Sequence, residues 1–180
     1  MATTGGELQL RIKAFQRLSS LPIPQDLIQS LDQTLSWSAG TGSGQYDLLH
    51  VKAYSLAIST PQTIDLTAIV DLSGATVNMA RVRAWAFYPL STASGADLVV
   101  DTTGSNGFKG FSGASGAKRT AYANLSATSG PYNYDSVMDA YSVGGSVGAV
   151  TSGTSKNVVL DPGANTFTVW AFILGCSATS

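Results

Sequence analysis

The segment from Asn165 to Gly175 reads Asn-Thr-Phe-Thr-Val-Trp-Ala-Phe-Ile-Leu-Gly, and it restricts the fold more than any other stretch. In an extended strand side chains alternate between faces. Phe167, Val169, Ala171 and Ile173 therefore share one face, and Thr168, Trp170, Phe172 and Leu174 share the other. Both faces are apolar, whereas an antiparallel sheet normally wets one of them. Such a strand predicts cover on both sides, from a second sheet or from another chain.

The chain around it alternates short β-like runs with turn residues. Asp47 to Ser59 reads as a strand ended by Thr60-Pro61, and Thr63 to Val70 as another, closed by the turn Asp71-Leu72-Ser73-Gly74. In Arg81 to Tyr88, Val82, Ala84, Ala86 and Tyr88 face one way, and Arg81, Arg83, Trp85 and Phe87 the other. The small Ala84 and Ala86 suit close approach of a facing sheet, and the arginines suit the wet end of the opposite face. Further strands are expected at Asp97 to Asp101, Arg119 to Leu125, Asp135 to Val143 and Lys156 to Leu160, with Asp161-Pro162-Gly163 turning into the last one. Phe108 and Phe111 sit on a glycine-rich loop, where exposure is costly. They are expected either under the loop or against a partner.

The first third has a different texture. Leu8, Leu10 and Ile12 alternate as in a strand, while Leu8, Ile12, Phe15 and Leu18 also fit helical spacing; the extended reading is preferred. Arg11, Lys13 and Arg17 supply three of the ten basic residues, so such an arm suits an acidic neighbour. Pro22-Ile23-Pro24 breaks the chain, and Pro24 opens a short helix with Leu27, Ile28, Leu31 and Leu35 on one stripe, ending near Ser36. The expected organisation is an N-terminal arm and short helix over residues 1–36 and a β domain over residues 37–180. The class is mainly β, an antiparallel β-sandwich or jelly-roll-like domain.

Composition limits the chemistry. Charged residues make up 12% of the chain, against about 25% in an average soluble domain, and the formal net charge is −1. A surface this neutral suits a chain covered in an assembly. There is no basic excess to attract nucleic acid, and no apolar run approaches the roughly 18 to 20 residues that span a bilayer. No nucleic-acid or membrane partner is expected. The first twenty residues lack the apolar core of a signal peptide, which predicts a protein that stays in the cytosol. Cys176 is the single cysteine, so neither an intrachain disulfide nor a thiol-based metal site is expected. His50, the single histidine, lies in a strand without a nucleophile motif beside it. Asp65 with Asp71, Asp97 with Asp101, and Asp135 with Asp139 are the carboxylate pairs available for glycosidase chemistry, but each adjoins a turn, where aspartate commonly binds its own backbone. The expectation is a protein that is not an enzyme and holds no cofactor. Tyr132, Tyr134, Tyr141 and Trp37 offer stacking platforms for a carbohydrate-binding module as an alternative.

The segment from Leu35 to Asp47, with Tyr54-Ser55-Leu56-Ala57, Ile64-Asp65-Leu66-Thr67, Leu72-Ser73-Gly74-Ala75 and Met79 to Ala84, resembles small structural proteins of tailed bacteriophages. The resemblance covers roughly residues 35 to 88; beyond it only the late Asp-Pro-Gly turn and the closing strand are similar. It implies a capsid decoration or cement protein, β-rich and homotrimeric, that clamps neighbouring copies of the major capsid protein and becomes part of the virion after assembly in the host cytoplasm. A tail, neck or fibre-attachment component is the alternative within that group. The residues expected at the partner interface are Leu8, Leu10, Arg11, Ile12, Lys13 and Phe15 of the arm, with Phe108, Phe111, Trp170 and Phe172.

Overall fold

The computed structural model describes residues 6–18, 25–41, 45–71, 73–91, 93, 96–111, 115–123, 137–140 and 148–177; through 6–18, 25–37, 122–123 and 137–140 it describes the backbone alone. Every regular element among them is a strand. β1 (Gly6–Leu18) and β2 (Gln25–Ala39) form a long antiparallel hairpin, and the end of β2 pairs in parallel with β3 (Gln45–Tyr46). Next come β4 (Leu48–Leu56), β5 (Gln62–Asp65) and the small pair β6 (Ile69–Val70) and β7 (Thr76–Val77). β8 (Arg81–Leu90), β9 (Ala96–Asp101), β10 (Lys118–Ala123), β11 (Val137–Ala140), β12 (Asn157–Asp161) and β13 (Phe167–Cys176) complete the body.

Eight of these strands make two antiparallel four-stranded sheets. The first has the order β11-β8-β13-β4 and the second β10-β9-β12-β5. The chain passes repeatedly from one to the other. β4 and β5 together run against β12 and β13 in a nearly continuous register, with Leu56 opposite Phe167 in the first sheet and Gln62 opposite Leu160 in the second. Between those pairs both strands break, at Ala57 to Pro61 and at Pro162 to Thr166. Proline cannot donate to a ladder, so Pro61 and Pro162 suit the breaks. The breaks are tied together, because Ser59 N–H donates to the Gly163 carbonyl at 2.7 Å. The Asp161-Pro162-Gly163 turn forms as the sequence predicts: Gly163 N–H donates to Asp161 Oδ1 at 3.0 Å, and Gly163 takes φ 53°.

The two sheets contribute to one hydrophobic core. Val169, Ala171 and Ile173 of β13, with Trp85 and Phe87 of β8, join Ile64, Leu98, Val100, Val158 and Leu160 of the second sheet. All of these are buried, as alternation within β13 and β8 requires. The facing sheet therefore lies on the Trp85 and Phe87 side of β8. Ala84 and Ala86, expected to receive it, point to the other face. The arginines are not wet either. Arg83 is 1% exposed, with Nε donating to the Gln45 carbonyl at 3.1 Å, and Arg81 is buried as well. They continue the inward row past Trp85, where β3 supplies a carbonyl partner. A buried guanidinium needs such acceptors.

The short helix is also corrected. Residues 25–39 form β2, not a helix from Pro24 to Ser36, and the strand runs across the 36/37 boundary expected between arm and domain. Its register with β1 sets Leu35 opposite Leu8 and Leu31 opposite Ile12, with Asp32 opposite Arg11 and Asp26 opposite Arg17. Apolar pairs and opposite charges at directly opposed positions favour antiparallel pairing. This is a relation between two segments, and helical spacing within one of them does not reveal it.

Candidate interaction surface

The outer face of the first sheet is built in rows by its register. Phe172 of β13 lies between Val51 of β4 and Ala86 of β8, and Met138 of β11 follows Ala86. On one side of that row is Leu49, Leu174, Ala84 and Ala140. On the other is Ala53, Trp170 and Tyr88, then Ser55, Thr168 and Leu90. No position in these rows is charged. Trp170 and Phe172 stand at its centre, 41% and 43% exposed. Thus the apolar inner face of β13 is covered by the second sheet, while on its outer face Thr168, Trp170 and Phe172 are exposed, Leu174 is half-buried and Ala84 beside it is buried. A contiguous apolar patch of this kind marks an interaction surface in a folded protein. Beyond Leu90 the face runs into an open cleft of about 500 Å³ lined by Ser55, Leu56, Ser91 and Phe167.

A second, more polar cleft of about 220 Å³ lies where β4 meets β5 and β6, lined by His50, Lys52, Tyr54, Gln62, Asp65 and Val70. Residues 50, 52 and 54 share one face of β4 by strand alternation. His50 is buried, and both ring nitrogens are engaged: Nδ1 lies 2.6 Å from the Val70 carbonyl and Nε2 3.0 Å from the Tyr54 hydroxyl. A carbonyl can only accept, so Nδ1 carries a hydrogen and donates to Val70; in the neutral ring Nε2 then accepts from the Tyr54 hydroxyl. Burial pushes the His50 pKa down, and the Lys52 charge adds to the effect against the opposing Val70 hydrogen bond. Burial pushes the Tyr54 hydroxyl up. Lys52 Nζ stands 5.0 Å from the centre of the Tyr54 ring. The histidine thus pins β4 to the β6 edge, as the structural reading of a lone strand histidine expects.

The aspartates do what turn aspartates do. Asp65, Asp71 and Asp101 each accept the backbone N–H of the residue two positions on, Thr67, Ser73 and Thr103. Burial raises the Asp65 pKa, but the ion pair with Lys156 at 2.5 Å and the Thr67 bonds outweigh it and hold the carboxyl below its ordinary value. Among the described residues, no group of three His, Cys, Asp or Glu side chains is placed to hold a metal ion. Also among them, no helix is long and apolar enough to cross a membrane.

The structure separates the residues expected at a partner interface. Trp170 and Phe172 are on the open face. Of the two places left for Phe108 and Phe111, the structure takes the one under the loop. Both rings stack edge-on against Trp85, at 5.2 and 4.7 Å between centroids, and against each other at 5.3 Å. Both are core residues, with Phe108 0% and Phe111 7% exposed. Leu8, Leu10 and Ile12 fall on one face of the hairpin, and Arg11, Lys13 and Phe15 on the other. Trp37 lies in β2 opposite Gly6, while Tyr132, Tyr134 and Tyr141 lie outside the described residues. Tyr88, Leu49 and Val51 were missed as members of the apolar face, because only strand order and register bring them beside Phe172. No protein-family model, curated protein or solved structure matches the chain.

Proposed function

We propose that this protein is a non-enzymatic structural component of a virus particle, a decoration or cement protein that binds the assembled head of a tailed bacteriophage. The observation that carries the reading is the strand order. Taken in chain order, the eight strands of the two sheets pair first with eighth, second with seventh, third with sixth and fourth with fifth. That nesting is what a two-stranded ribbon gives when it rolls up into an eight-stranded jelly-roll sandwich, an architecture used by viral capsid and lectin domains. Architecture alone does not assign a function. The low charge and the open apolar face around Trp170 and Phe172 add a reason to place the chain in an assembly, and the sequence resemblance points to phage heads.

In this reading the partners are the major capsid protein and further copies of the chain in a homotrimer, and the protein resides in the virion. Many weak contacts repeated over a symmetric shell supply the avidity. Co-sedimentation with phage shells stripped of the protein tests it. Saturable binding to assembled shells, and none to isolated capsid subunits, is the expected result. Binding to tails or neck complexes would move the protein to that part of the particle. No binding to any particle, with tryptophan emission shifting on addition of sugars, would favour the lectin use of the same architecture.

A further inference from the structure

We propose that the N-terminal hairpin of one copy lays its uncharged face on the outer face of the first sheet of a second copy. The hairpin is two-faced by sequence and register. All six charged residues of its strands, Glu7, Arg11, Lys13, Arg17, Asp26 and Asp32, fall on one face. The other face has no charge and carries Leu8, Leu10 and Ile12 beside Leu35, Gln33 and Leu31. A two-stranded ribbon is marginal alone in water and needs a layer packed on its apolar side. Strand direction keeps that layer from being its own sheet. β2 is parallel to β3, and β3 leads through Asp47 alone into β4, whose start is fixed by the Asp47 N–H bond to the Gly175 carbonyl. The hairpin therefore extends from the Leu48 end of β4 in the direction opposite to the course of β4.

The second copy's sheet offers a matching surface. It too has no charge, and Trp170 and Phe172 are its large exposed hydrophobic side chains. From strand spacings, the hairpin presents a face of roughly 400 Å² and the four-stranded sheet one of roughly 500 Å². In a closed ring each copy gives one hairpin and receives one, so it loses roughly 800 Å² of its own surface, the share per partner of a stable protein interface. Each copy has one arm and one face, so a closed ring leaves neither uncovered. The inference needs only that the chain works in several copies, and so rests on the assembly part of the reading above rather than on the capsid.

A photo-reactive benzoylphenylalanine at position 172 of the full chain, mixed with an isotope-heavy copy, tests the contact. The expected result is light-to-heavy cross-links that map to residues 6–39. Cross-links within one chain, cross-links to other residues, or none in a mixture concentrated enough to associate would overturn it. As a second measurement, Phe172→Glu and Leu31→Glu should each raise the concentration for half-association at least about tenfold. Position 172 is exposed, so Phe172→Glu should keep the near-ultraviolet circular dichroism of the folded chain. Folded Phe172→Glu that associates as the wild type does would also overturn the proposal. Cross-linking without shell binding would remove the capsid reading and leave this contact standing; shell binding without cross-linking would do the reverse.

Discussion

Replacing Phe108 by alanine should cost far more stability than replacing Phe172, although the sequence leads one to expect cover for both aromatic rings. Phe108 is 0% exposed and packs edge-on against Trp85 and Phe111. The fit is close enough that a Cβ on Gly110 would stand 2.4 Å from the Phe108 ring. A buried Phe→Ala change removes about 3–5 kcal/mol through lost transfer energy and the cavity left behind. A domain is stable by about 5–15 kcal/mol, so Phe108→Ala should remove roughly a fifth of that or more. With a urea slope of about 2–3 kcal/mol/M, the midpoint should fall by roughly 1.5 M. Phe172 keeps 43% of its surface in water, and its alanine variant should lose about 1 kcal/mol in the dissociated chain. Urea unfolding followed by tryptophan emission, at two protein concentrations, separates the two. A Phe108→Ala midpoint within roughly 0.2 M of wild type, the shift that a surface substitution of about 0.5 kcal/mol produces, would refute the placement of this ring in the core.

Other outcomes follow from particular contacts. Gly148→Ala should destabilise the fold severely, because φ is +77° and the added Cβ would stand 2.1 Å from the Val82 carbonyl; Gly153→Ala, at φ +83° with open space around it, should cost only the about 1–2 kcal/mol of a left-handed backbone. Thermal melts of the two variants check the difference. His50 has a folded pKa below its ordinary value of about 6.5, so above that pH both states are neutral and its contribution is complete. As pH falls from there the unfolded chain takes the proton first and stability is lost until the folded pKa is passed. His50→Asn, whose amide can still donate to Val70, should flatten the melting temperature between pH 7.5 and 5.5 relative to wild type. Lys118→Ala should change stability by less than about 1 kcal/mol, since its ion pair with Asp101 is largely exposed.

The body of the fold was legible where local pattern decides it. The alternation of β13 and β8, the Asp-Pro-Gly turn and the aspartate turns are properties of short segments, and they read directly from the sequence. β8 continues beyond the expected end at Tyr88, through Pro89 to Leu90. What local pattern could not carry was pairing. The stripe of Leu27, Ile28, Leu31 and Leu35 suits a helix until Leu8, Ile12, Arg11 and Arg17 are set opposite it. Arg83 looks like a surface residue until β3 is placed over it. The open apolar face follows the same rule, since Trp170 and Phe172 were visible in one strand but Val51, Ala86 and Tyr88 join them only through register.

The mass of the intact protein in solution, by sedimentation equilibrium over a wide concentration range, tests most directly whether the open sheet face is a surface for assembly. The expected result is a closed oligomer for the wild type and a folded monomer for Phe172→Glu. A wild-type monomer at every concentration, with Trp170 and Phe172 left in water, would contradict it.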